Sequence, residues 1–508
     1  MRTKKSIRNA IVSMIMNVIM ILIGLVSQKI FLHILGTEYL GISGLFSNII
    51  SMLGIVELGI GPAIIYNLYR PIKENDTVKI KALINFYKKV YNIIAALIFI
   101  LGILLIPILP YILKDVNIPE NITLIYILFL TDTFVSYLAA YKQSILYANQ
   151  ENYIINIIHI AYLLVMNFSQ LFLLYITKNY YLYLITKIIC RALENIVISI
   201  VVVKKYPTFF IKNQEKIDSS TSKDILTRTK GLIFHKIGTF IVDGSDNIII
   251  STFLGITTVG LYTNYSLILN AVTNLTTQVF SAITSSVGNL LVSVKKEKNY
   301  EVFKNIYFIN FVIATVISAG FLCCIQPFIS IWIGRKYLLS SAIAITLAIN
   351  LYIKILSRTM NTFKEAAGIF YEDRYIPILQ SVINIIVSIL LSYCFGLAGV
   401  FIGTIVSNLL LHLYSYPKYV YKQLFSDNVA SYFKIFIKYL LTFILILIIC
   451  YLSTIFITVN SALLQLLLNI LISLILSIAI IIVIFKKTSQ FIYCQNIGVS
   501  MINRGKKK

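Results

Sequence analysis

The chain has 508 residues, 58% of them hydrophobic, and its 44 Lys and Arg against 20 Asp and Glu give a net charge of +24. On a soluble protein that charge would point to nucleic acid, but here the basic residues crowd the connections between long apolar runs, where they set orientation in a membrane. Cys190, Cys323, Cys324, Cys394, Cys450 and Cys494 lack metal-ligand or disulfide spacing, and His33, His159, His235 and His412 are scattered with no zinc signature. No Gly-rich phosphate loop precedes a basic residue, which argues against a soluble nucleotide-driven machine.

Taken in order, about fourteen apolar runs of about twenty residues each predict membrane-spanning helices. The first, Ala10 to Leu32, follows Arg2, Lys4, Lys5 and Arg8 with no small-residue cleavage site, so a retained span and a cytoplasmic amino terminus are expected. The others centre on Gly41 to Leu68, Tyr91 to Leu113, Ile122 to Tyr147, Ile154 to Ile176, Tyr181 to Val203, Leu232 to Leu254, Val259 to Val292, Tyr307 to Ile331, Leu338 to Leu356, Ile376 to Phe395, Ala398 to Tyr414, Ile435 to Ile457 and Ala462 to Phe485.

With that first span leaving the cell, the basic connections Arg70 to Lys89, Lys204 to Lys230, Lys295 to Lys304, Arg358 to Arg374, Lys418 to Lys438 and Lys486 to Lys508 all fall inside. Both termini are then cytoplasmic. The outward connections, such as Lys114 to Asn121, Lys178 to Tyr180, Phe395 to Ala398 and Thr458 to Ser461, are too short for a catalytic domain, so an enzyme is not expected. Trp332, beside Gly334 and Arg335 at another outward turn, reads as an interfacial anchor.

An internal echo suggests the architecture. Leu35-Gly36 followed by Leu40-Gly41-Ile42 recurs as Leu254-Gly255 followed by Val259-Gly260-Leu261, each at an outward turn after a span that enters from inside. The expected fold is an all-α polytopic membrane protein of two six-helix bundles in a parallel repeat, plus two C-terminal helices. Its divisions are a lobe at 1–203, a basic linker at 204–230, a second lobe at 231–422, and the added helices and tail at 423–508.

Charges inside apolar runs cost about 2.5 to 3.5 kcal/mol each near the bilayer centre, so chemistry is sought there. Lys236, Asp243 and Asp246 share the seventh span. Lys187, Arg191 and Glu194 in the sixth stand at spacings of four and three, on one helix face. In each span the competing reading is an ion pair that only locks the bundle. Lys29, Asp132 and Lys142 add further charges, with Lys29 and Lys142 near enough to span ends to snorkel. Glu57 opens Glu57-Leu58-Gly59-Ile60-Gly61-Pro62, where Gly59, Gly61 and Pro62 can break the helix beside a carboxylate, a gating or coupling arrangement.

Leu53 to Tyr69 with Arg70-Pro71, Asp243 to Tyr265 with Asp246-Asn247 and Asn264-Tyr265, Gly288-Asn289, Ala366 to Pro377, and Gly399-Val400-Phe401-Ile402-Gly403-Thr404 together resemble bacterial oligosaccharide flippases of the Wzx type. These belong to a superfamily shared with multidrug extruders and the peptidoglycan lipid precursor flippase. The resemblance implies alternating-access transfer of an undecaprenyl-pyrophosphate-linked oligosaccharide across a bacterial cell membrane for surface polysaccharide assembly. It implies no cofactor beyond a coupling proton or sodium ion, and membrane lipids, a polysaccharide polymerase and chain-length machinery as partners.

On that basis Arg191, Lys187 and Lys236, with Lys29 and Lys142, are the candidates for the pyrophosphate. Glu57, Asp132, Glu194, Asp243 and Asp246 are candidates for charge balance or ion coupling. The alternatives are a cation-drug antiporter, a flippase of the peptidoglycan precursor and a non-transporting scaffold.

Overall fold

A computed structural model describes residues 2–57, 60–210, 238, 241–242, 244–293, 296–425 and 428–496. Hydrocarbon offers no partner to a backbone amide, so apolar runs of this length must pair their backbone within themselves, as helices do. Among the described residues the chain is helical with no strand.

Helices α1 (Arg2–Ile34), α2 (Thr37–Leu53), α3 (Ile60–Glu74), α4 (Thr77–Leu104), the short α5 (Leu109–Ile112), α6 (Ile122–Tyr137), α7 (Ala140–Ala148), α8 (Asn152–Thr177) and α9 (Tyr180–Lys205) come first. After them come α10 (244–254), α11 (Ile256–Ser293), α12 (Lys296–Trp332), α13 (Ser341–Ala367), α14 (Ile376–Leu410), the short α15 (Lys422–Leu424), α16 (Val429–Phe456) and α17 (Ala462–Phe485). Asp76, Asn121, Asn179, Asn428 and Ser461 each accept a backbone N–H from the first turn of the helix they precede.

Nine of the described helical stretches are long and apolar enough to cross a membrane, and the bent pair α6 and α7 makes a tenth. α14 and the π-helical segment Leu411–Tyr421 after it count there as one stretch, yet α14 reverses at Gly396, whose φ of 57° suits glycine. Asn384 bonds Thr404, and Gln380 bonds Asn408, so the segments before and after Gly396 run antiparallel. A Cβ on Gly403 would lie 2.5 Å from the Ser388 backbone nitrogen, so only glycine there lets the two passes approach this closely.

The contacts of the chain divide at Leu267 into two compact units, 1–267 and 268–508. Within the first, the echoed turns meet. Aligning Gly36 with Gly255 pairs Thr37 with Ile256, Gly41 with Gly260 and Gly44 with Thr263. A Cβ on Gly41 would lie 2.2 Å from the Ile256 carbonyl oxygen, and one on Gly260 would lie 2.1 Å from that of Thr37. Gly44 faces Thr263, its own counterpart. Each residue touches the equivalent of what its counterpart touches, the self-complementary pattern of a two-fold contact. Gly36 and Gly255 make the preceding turns at φ 93° and 87°.

In the second unit α12 packs on α13, α16 and α17. The expected cytoplasmic loop from Arg358 to Arg374 is helical as far as Ala367, and its Lys364 is buried against Asp373. An opposite charge on the following turn lets the lysine be buried. Trp332 is likewise buried, at 9% exposed, and lies against Phe328.

Candidate functional site

Helix α9 carries Lys187, Arg191 and Glu194 along one face, and it packs on α6 and α8. α6 brings Asp132. The Lys187 Nζ stands 3.1 Å from Asp132 Oδ2, and Arg191 Nε stands 3.6 Å from Asp132 Oδ1. Arg191 Nη1 donates to Glu194 Oε2 at 2.7 Å, while the other oxygen of Glu194 meets His159 Nδ1 of α8 at 2.6 Å. Five side chains from three helices therefore form one chain of opposite charges: Lys187, Asp132, Arg191, Glu194, His159.

The members of this chain differ in exposure. The side chains of Lys187, Arg191 and His159 are 28%, 22% and 25% exposed, against 11% for Asp132 and 6% for Glu194. The nitrogen-bearing side chains are the more exposed members and the carboxylates the more buried. Lys187 and Arg191 set two positive charges against the two negative ones of Asp132 and Glu194, so the cluster costs far less than its separate charges would.

Aromatic faces support both cations. The Arg191 guanidinium lies 4.6 Å from the Tyr162 ring centroid and the Lys187 ammonium 5.3 Å from that of Phe129. Arg191 Nε and the buried Tyr162 hydroxyl make no hydrogen bond to the described residues, which leaves donors to spare. One turn below Asp132, Asn195 of α9 donates to the Val135 carbonyl at 2.6 Å, just before α6 gives way to α7 at a bend of 42°. The predicted fourth span is thus broken beside the charge cluster.

Glu57 ends a 3-10 turn, Gly54–Glu57, between α2 and α3, and Gly61 and Pro62 fall within the first turn of α3. Its carboxylate accepts from the hydroxyls of Tyr91 on α4 and Tyr137 on α6, and no basic side chain pairs with it among the described residues. Gly61 leaves room there, since a Cβ on it would lie 3.5 Å from the Tyr91 hydroxyl and 3.8 Å from Glu57 Oε1.

The remaining candidates are dispersed. Lys29 is exposed on α1, Lys142 is half-buried on α7 near the Tyr141 and Phe210 rings, and Asp246 is half-buried on α10 with partners of its own. Lys236, Asp243 and Gly59 lie outside the described residues. His159, weighed in the sequence only against zinc, is the member that sequence reasoning missed. An available signal was Glu194, a mid-span carboxylate with two oxygens and one basic partner on its own helix face.

In the second unit the buried His412 sits in the π-helical segment Leu411–Tyr421, bonded to Ser357 Oγ at 2.9 Å and Tyr432 hydroxyl at 3.1 Å. Its ring stacks on Phe436. Both ring nitrogens are satisfied, and this group holds α13, the π-helical turn and α16 together.

A sequence profile described as "Polysaccharide biosynthesis protein" matches residues 6–287, more than half of the chain. The chain belongs to this family. Among solved structures, the chain is similar to the lipid II flippase MurJ in an inward closed conformation, with 15% identity and a TM-score of 0.67 over 94% of this chain and 99% of that one. It is also similar to an inward-facing multidrug resistance MATE family transporter of the MOP superfamily, with 15% identity and a TM-score of 0.55 over 79% and 95%. The Vibrio cholerae MATE transporter VcmN in its bent form gives 14% identity and a TM-score of 0.51 over 80% and 95%. At such identities these likenesses establish a shared transporter fold. No curated protein matches the sequence. The family is that of polysaccharide biosynthesis proteins, and the fold is the one these flippase and transporter structures share.

Proposed function

We propose that this protein flips an undecaprenyl-pyrophosphate-linked oligosaccharide from the cytoplasmic to the outer leaflet of a bacterial cytoplasmic membrane, supplying surface polysaccharide assembly. One observation carries the choice of substrate: in the charge cluster the cationic side chains are the more exposed and the carboxylates the more buried. A pyrophosphate meets donors first, and Arg and Lys are suited to bind it. A cation-exporting antiporter would need the opposite order, with acidic groups in front.

In this reading the protein has about fourteen spans in two six-helix bundles that rock about the site, the polyprenyl tail stays in lipid, and Lys236, Lys29 and Lys142 are further phosphate candidates. Asp243 and Asp246 balance charge, and Glu57 with its neighbouring Gly59, Gly61 and Pro62 is a gating or proton- or sodium-coupling element. A polymerase and chain-length machinery would receive the product.

Deletion of the gene tests the proposal, with surface polymer, lipid-linked repeat units in the inner leaflet and drug susceptibility measured together. Lost polymer with inward-facing repeat units is the expected result. Intact polymer with drug hypersensitivity would favour the extruder, and loss of viability would favour the peptidoglycan precursor. In a complementing strain, Lys187→Gln with Arg191→Gln should lower transport at least tenfold while the protein stays in the membrane.

A further inference from the structure

Glu194 is the one carboxylate of the cluster whose two oxygens go to different helices, Oε2 to Arg191 on its own helix and Oε1 to His159 on α8. Asp132 is likewise shared, between Lys187 and Arg191. Arg191 is therefore the cation common to both carboxylates. If it turns to an anionic headgroup, Asp132 keeps Lys187, but Glu194 keeps only an imidazole. A neutral imidazole leaves that carboxylate's charge uncompensated beside an arriving anion, which is costly at 6% exposure. An imidazolium removes the cost.

We propose that His159 takes up one proton when the anionic headgroup binds, so that the imidazolium replaces Arg191 as the partner of Glu194 and frees the guanidinium for the phosphate. The inference rests on the lipid-pyrophosphate reading above. In the neutral ring Nδ1 carries the hydrogen that Glu194 Oε1 accepts, so the incoming proton, drawn from water, binds Nε2. No covalent bond between heavy atoms changes. The Arg191 Nη1 to Glu194 Oε2 contact is given up, and the cluster passes from zero to one net positive charge, opposite to the ligand.

The surroundings of His159 suit this role. On α8 its neighbours are Tyr153 and Tyr162, with the Tyr162 ring 5.4 Å from the imidazole. α9 presents Lys187, Cys190, Arg191 and Glu194, while α6 contributes Asp132 through Arg191. α7 carries Tyr141, Lys142 and Tyr147, and α1, the other helix packed on α8, carries no ionisable residue from Asn9 to Gln28. The His159 side chain is a quarter exposed, so it is not sealed inside the helix packing.

Linkage gives the sign. A proton bound with the ligand means that affinity rises as pH falls through the histidine range, by up to about tenfold per pH unit on its alkaline side. The test measures binding of undecaprenyl pyrophosphate to the purified full-length protein in nanodiscs from about pH 5.5 to 8, the range in which histidine titrates. The natural protein should bind more tightly at acid pH. His159→Gln should lose that dependence apart from the probe's own titration, and His159→Lys, a fixed cation at the same place, should bind tightly across the range.

A dependence on pH that survives in both variants would overturn the assignment, as would a flat profile in the natural protein. Should His159→Gln fail to fold, comparison of the natural protein with His159→Lys still decides. Absence of undecaprenyl pyrophosphate binding at every pH would instead count against the flippase reading itself.

Discussion

Asp132 shows how a single residue governs this site. It neutralises Lys187 at 3.1 Å and lies 3.6 Å from Arg191, and it is buried where both cations are partly exposed. Replacing it with alanine leaves Lys187 without a partner in the cluster, and breaking a buried pair from one side costs about 3 to 5 kcal/mol. Asp132→Ala should therefore lower the unfolding midpoint of the detergent-purified protein markedly. Adding Lys187→Met should recover much of the loss, since Arg191 retains Glu194. A double variant no more stable than the single one would mean that Lys187 draws nothing from Asp132. The spacing of Lys187, Arg191 and Glu194 was legible in the sequence because one helix defines it. Their partners were not, because Asp132 and His159 reach them from α6 and α8.

At the scale of elements, glycines decide how closely helices approach. Gly41 on α2 and Gly260 on α11 each face a backbone carbonyl oxygen of the opposite turn, at distances that admit no side chain. Gly41→Val and Gly260→Val should each destabilise by about 1 to 3 kcal/mol, the usual cost of overpacking. Because the contact is two-fold, the two losses should be similar, and matched thermal unfolding curves check it. A loss confined to one side would argue against the self-complementary contact. The reversal at Gly396 makes an orientation test. In a cysteine-free background, Phe395→Cys, exposed beside that turn, should react with a membrane-impermeant maleimide on intact cells. Reaction only after permeabilisation would invert the assigned orientation. The echo of Leu35-Gly36 in Leu254-Gly255 could be read from residues alone, but not that the two copies touch.

For the whole molecule, the apolar runs and the one-sided distribution of Lys and Arg specified a polytopic helical membrane protein before any contact was known. Those are one-dimensional properties: twenty apolar residues must form a helix in hydrocarbon wherever its neighbours stand, and basic connections stay inside whatever the packing. The tertiary structure alone decided which charges neutralise one another, that the nitrogen-bearing side chains are more exposed than the carboxylates, that α6 breaks beside Asp132, and that His159 joins the charge cluster. Helical periodicity tells which residues share a face but not which helix that face meets or how the partner is rotated. The choice between a free phosphate-binding cation and a paired one depends on that rotation.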